Sequence, residues 1–152
     1  MVRCKGVFVC LAVAALSGAT SVRADDDASR RAIAGALTQW TADFNARHVD
    51  KVCDLFSREL RVDFRGQPER RHDAQCDLLK RALTDSTRTF SNAFAIKEIL
   101  VWGDTAVVRL TWTSTIRPRD GRAITAVEPG LDVFRKEQDG RWRIVRYMAY
   151  EQ

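Results

Sequence analysis

The sequence predicts an α+β fold, a strongly curved and mostly antiparallel sheet wrapped around three N-terminal helices to make a cone. Three observations predict it. Apolar residues at helical spacing open the folded part, from Asp27 to Arg47. Long alternating runs joined by short glycine-containing turns fill the second half. The chain then closes on Asp139-Gly140, a turn, and a long strand-like run through Tyr150. Helices followed by a strand meander bury one sheet face on the helices and can enclose a pocket.

Each element has a local reason. Ile33, Leu37, Trp40 and Phe44 fall on one stripe of a helix over 27–47, and Ala32, Ala36 and Ala42 favour that helix. Asp25, Asp26 and Asp27 suit the positive end of its dipole. Residues 45–50 interrupt it, and Asp50 is placed to cap a short second helix that buries Val52, Leu55 and Phe56. Leu60 to Arg65 alternates apolar and polar residues, so it reads as a half-buried strand. Pro68 suits the start of a third helix over 69–83, with Cys76, Leu79 and Leu83 on one stripe. Strands are expected over 87–101, 105–117 and 122–136, with turns at Trp102-Gly103-Asp104 and Arg119-Asp120-Gly121. Pro129-Gly130 inside the third run predicts a bulge or bend, because proline cannot donate to the ladder.

The first 24 residues read as a secretory signal peptide. Arg3 and Lys5 precede an apolar run, Val7 to Leu16, that is too short to span a bilayer, which takes about 20 residues. Small residues at Val22-Arg23-Ala24 predict cleavage after Ala24, which leaves residues 25–152 as one domain without a membrane anchor. An exported protein, periplasmic or secreted, is therefore expected. The signal holds three of the 25 Lys and Arg, so 22 remain against 20 Asp and Glu. That near-balance, together with export, argues against nucleic acid as a partner. Cleavage also leaves two cysteines, Cys53 and Cys76, and in an oxidising compartment an even pair predicts a disulfide.

Leu37-Thr38-Gln39-Trp40 through Phe44-Asn45-Ala46, followed by Asp50 to Phe56, resembles the opening of nuclear transport factor 2-like proteins. The stretch from Asp132 to Ile144 is similar to the last hairpin of the same superfamily. The resemblance spans about residues 28–151 and is closest to the SnoaL-like and ketosteroid isomerase-like branch. It implies the cystatin-like roll. It does not by itself imply an activity, since that fold carries isomerases, dehydratases, hydrolases and non-enzymatic modules. Of the residues that ketosteroid isomerases use, the oxyanion tyrosine matches Trp40 and the general-base aspartate matches Phe64, with Asp63 on the opposite strand face. The aspartate kept neutral in an apolar site matches Asp132. One match in three speaks against steroid isomerase chemistry.

The expected function is therefore the holding of a small, largely apolar molecule, in a pocket lined by Trp40, Phe44, Phe64, Phe94, Trp112, Asp132 and Phe134. The alternatives are an isomerase, dehydratase or hydrolase with Asp132 as essential carboxyl, and a partner-binding subunit whose pocket its own side chains fill. Asp132 itself has two readings: a desolvated pocket carboxyl with a raised pKa, or the partner of Arg143 or Arg146. The paired arrangement is the expectation. Glu128, ahead of the Pro129 bend, can aim at the pocket mouth. His48 and His72 lack the spaced partners of a metal site, so neither a metal nor a cofactor is expected, and both read as surface or capping residues. Arg109, Arg117, Arg119, Arg122, Arg135, Arg141, Arg143 and Arg146 read as charges that discourage edge pairing. The uncharged middle of Thr111, Thr113 and Thr115 predicts a homodimer through the sheet.

Overall fold

The computed structural model describes residues 18–150, with side chains from residue 25 onward. Helix α1 (Gly18–Asn45) buries Ile33, Leu37, Trp40 and Phe44, the stripe that the spacing predicts. It crosses the expected cleavage point after Ala24 without a break, and the apolar run Val7–Leu16 lies outside the described residues. After Asn45 the chain turns at Arg47, which takes a φ of 60°.

The expected second helix is absent. Residues 49–55 form successive turns closed by Lys51 N–H to His48 O, Asp54 N–H to Lys51 O and Phe56 N–H to Cys53 O. A helix over 50–56 would use the Val52 carbonyl for its own ladder. Instead Trp40 Nε1 donates to Val52 O at 2.8 Å, and Ile144 N–H donates to Leu55 O. Tertiary donors thus replace local ones, and Val52 and Leu55 are still buried. The described residues accordingly hold two α-helices rather than three.

Strand β1 (Phe56–Phe64) leads to the two-residue β2 (Arg70–Arg71) and then α2 (His72–Thr84). Helix α2 starts three residues later than predicted because Arg70 and Arg71 pair with Val62 and Arg61 of β1. The Arg47 guanidinium closes its other end, donating to Leu83 O at 2.9 and 2.6 Å and to Asp85 O at 2.7 Å. Those carbonyls have no partner within the helix.

The remaining strands are β3 (Arg88–Trp102), β4 (Thr105–Pro118), β5 (Ile124–Lys136) and β6 (Trp142–Ala149), in the sheet order β2-β1-β6-β5-β4-β3. All neighbours are antiparallel except β1 and β6, which run parallel. The turn at Gly103 and that at Gly140 both use positive φ, which glycine accepts without a Cβ penalty. No bulge falls at Pro129: its register with β4 runs unbroken, Thr111 facing Pro129 and Leu110 facing Gly130. The irregularity on β5 lies instead at Val133/Phe134, against β6, where Val145 is the additional residue.

Alternation along the strands sets the two sheet faces. Inward are Ala106, Val108, Leu110 and Trp112 of β4 and Asp132 and Phe134 of β5, all buried with the α1 stripe. Outward are Val127, Leu131 and Met148, all exposed. The Cys53–Cys76 disulfide ties the turn segment to α2 with Cα atoms 5.6 Å apart.

Candidate functional site

Between α1, α2 and the inner face of the sheet lies a cavity of about 180 Å³. Trp40 of α1 and Trp112 of β4 form its aromatic wall, their rings edge to face at 5.4 Å. Phe64 of β1 and Leu79 of α2 close other sides. The polar lining comes from Glu128, Tyr147, Asn92, Ser114, Arg70 and Gln75. Among these described lining residues, Glu128 is the one acid and Arg70 the one cation.

Each polar group has a strand or helix reason to point inward. Glu128 faces Trp112 across β4, and Tyr147 faces Asp132 across β5 and β6. The Tyr147 hydroxyl donates to Glu128 Oε2 at 3.4 Å. Burial, and then the nearby carboxyls of Glu128 and Asp132, push that hydroxyl well above its ordinary pKa, so it stays a donor. Ser114 donates to Asn92 Oδ1 at 2.8 Å. Arg70 spends two donors on its neighbours, 3.0 Å to Gln75 Oε1 and 2.7 Å to Gln67 Oε1. The Glu128 carboxylate, which accepts from Tyr147, is the lining acid that gives the cavity acceptor character.

Asp132 overturns the expected pairing. Arg143 instead holds Glu137 at 2.6 Å and Asp139 at 2.7 Å, and it helps bring the Asp139 carboxyl down to about 2. Arg146 donates to the carbonyls of Val145 and Glu59. The cause is strand geometry: Arg146 faces Val133 and Arg143 faces Arg135, both on the other side of β5 from Asp132. Asp132 is fully buried, neither carboxyl oxygen has a hydrogen-bond partner, and burial pushes its pKa well above the carboxylate range. A neutral carboxyl is the form such a site favours.

Three of the seven expected pocket residues, Trp40, Phe64 and Trp112, line the cavity. The other four do not. Phe44 and Phe134 are buried in the core, Phe94 packs on Trp112 at 5.5 Å, and Asp132 sits behind Tyr147 without reaching the lining. Asp63 is exposed on the outer side of β1 while Phe64 faces in, as alternation requires. Glu128 was legible as a pocket acid, but Asn92 was not singled out. Asn92 lies two residues before Phe94 on the same strand face, whereas Tyr147 is set opposite Asp132 only by the β5–β6 register. Arg70 carried no such signal, because β2 is too short to show a period, and Gln75 is a polar residue on the buried face of α2. Among the histidines, His48 is exposed and its Nδ1 meets Asp43 Oδ1 at 2.8 Å, whereas His72 is buried, contrary to the surface reading.

Family comparison places this architecture. The model of the SnoaL-like domain matches residues 37–146. The chain belongs to the SnoaL-like family. Solved structures carry the same nuclear transport factor 2-like fold around this SnoaL-like domain. A ketosteroid isomerase-like protein from Erwinia carotovora atroseptica is 22% identical, with a TM-score of 0.65 over 80% of this chain and 94% of its own. A conserved protein from Planctomyces limnophilus has a TM-score of 0.73 at 15% identity, over 83% of this chain and 98% of its own. A nuclear transport factor 2-like protein with a cystatin-like fold from Novosphingobium aromaticivorans has a TM-score of 0.69 at 18% identity, over 92% and 91%. No curated protein matches the chain. At these identities the likeness concerns fold, so the reading of the SnoaL-like cavity rests on its own residues.

Proposed function

We propose that this SnoaL-like protein is exported and holds a small, largely apolar molecule in its cavity, with a hydroxyl or amine of that molecule donating to Glu128. The observation that carries the reading is a single carboxylate among the lining residues of a chamber walled by two tryptophans. A cavity of about 180 Å³ is smaller than the roughly 300–1,000 Å³ that holds drug-sized ligands. The occupant is thus a compound of one or two rings. Trp40 and Trp112 line the chamber, so a panel of small phenols, cyclic alcohols and amines should change the intrinsic fluorescence on binding. Glu128→Gln removes a charged acceptor worth about 1.5–3 kcal/mol and should weaken the best binder about tenfold to a hundredfold. A panel without a binder, together with no small molecule found on native protein by mass spectrometry, would leave the reading without support.

A second reading, acid–base catalysis, is favoured by one observation: the unpaired Asp132 adjoins Tyr147, which itself donates to Glu128. In that reading Glu128 moves the proton, and Asp132 acts only through Tyr147. We also propose that two copies pair through the outer sheet face, where Val127, Leu131 and Met148 are exposed beside Thr111 and Thr113.

A further inference from the structure

A second cleft, of about 440 Å³, has the disulfide in its wall. His72 and Cys76 are one turn apart on α2, so imidazole and sulfur share a helix face. His72 Nε2 lies 3.5 Å from Cys76 Sγ, and His72 Nδ1 lies 2.7 Å from Asp73 Oδ1. The sulfur lies near both ring nitrogens, 4.0 Å from Nδ1 as well, and Nδ1 also meets the carboxylate. His72 and Cys76 are buried, while Cys53 is half-buried and open to the cleft.

We propose that Cys53–Cys76 is a thiol–disulfide exchange site for a dithiol, with His72 receiving the Cys76 sulfur as a thiolate. Cys53 is the less buried of the two residues, so the attack is assigned to it. A thiolate of the incoming dithiol bonds to Cys53 Sγ as the Cys53–Cys76 bond breaks, and the electron pair leaves on Cys76. The second thiol of the dithiol, losing its proton, then attacks its own chain's sulfur in the mixed disulfide and releases Cys53. The dithiol is oxidised to its disulfide, and two electrons pass to the protein; the second thiol's proton goes to Cys53, while Cys76 remains a thiolate. A leaving sulfur stabilised as thiolate departs faster and favours the reduced form.

The surrounding charges bear on this. The Asp73 carboxylate is the nearest charge to the ring, and Arg58 Nη1, 3.4 Å from His72 Nδ1, also pairs with that carboxylate at 3.6 Å. Lys80 and Asp77 of α2 line the same cleft with opposite charges, and Asp54 lies on the turn segment. On the far wall Glu137 and Asp139 are held by Arg143.

The test uses dithiothreitol on the full exported chain. Reduced protein should keep its circular dichroism, and one thiolate, followed at 240 nm, should form below the ordinary thiol range near about 8.5. His72→Gln should return that ionisation to the ordinary range and slow reduction about tenfold. Asp73→Asn, on an exposed side chain, should shift both readouts the same way by less. Three results would each overturn the proposal: both thiols of the wild type ionising in the ordinary range, variants reduced as fast as wild type, or a chain that unfolds on reduction. If His72→Gln does not fold, the wild-type titration and the Asp73→Asn rate decide.

Discussion

Replacing Asp132 with Asn tests the most unusual group in the core. Both carboxyl oxygens are buried without a partner, and burial raises the pKa. In the folded state the proton is therefore retained at pH values where the unfolded chain, near about 3.9, has already lost it. The sign follows: the native state binds more protons, so stability is fully present below the unfolded pKa and is lost as pH rises toward the folded one. The loss is about 1.4 kcal/mol for each pH unit over which native Asp132 stays protonated. Asparagine has nearly the same shape, and its amide is as unpartnered as the neutral carboxyl, so the two proteins should be within about 1 kcal/mol of each other near pH 4. Above that pH the variant should gain on the wild type by about 1.4 kcal/mol per unit. Urea unfolding at intervals from pH 4 to pH 7 measures the gap directly, with an unchanged m-value as the control. A gap that does not change with pH would refute the reasoning. So would a variant less stable by about 1–3 kcal/mol at neutral pH, the result expected if an arginine had lost its partner.

Three further expectations follow from other parts of the molecule. Arg47→Ala strips the donors that close the end of α2 at Leu83 and Asp85 and should lower unfolding stability by about 1–2 kcal/mol, read as a fall in melting temperature. Leu131→Glu places a charge on the exposed outer face and should leave the fold intact while shifting sedimentation from dimer to monomer; a wild type that is already monomeric would remove the interface. Protein recovered from outside the cytoplasm should begin at Asp25 by N-terminal sequencing, and a retained N-terminus would contradict signal cleavage.

Periodicity alone determined much of this chain. The α1 stripe, the inner faces of β4 and β5 and the turns at Gly103 and Gly140 follow from local pattern, because each depends on neighbours near in sequence or on a count of two, and the Cys53–Cys76 pair follows from the cysteine count. The outward Asp63 and inward Phe64 belong to the same class. What only the tertiary structure decided depends on partners far along the chain. Residues 49–55 look helical locally, yet Trp40 and Ile144 take their carbonyls and hold them as turns. The parallel pairing of β1 with β6 joins residues about 85 positions apart, such as Val62 and Tyr147, which no local pattern encodes. Asp132 and Arg143 were plausible partners on adjacent strands until the register put Tyr147 opposite the acid and sent both arginines outward. The cavity likewise draws Arg70 and Gln75 from β2 and α2 to meet Glu128 from β5. Alternation tells which side of a strand a residue takes. Which residue it meets there depends on register, and the bulge at Val133/Phe134 resets that by one position.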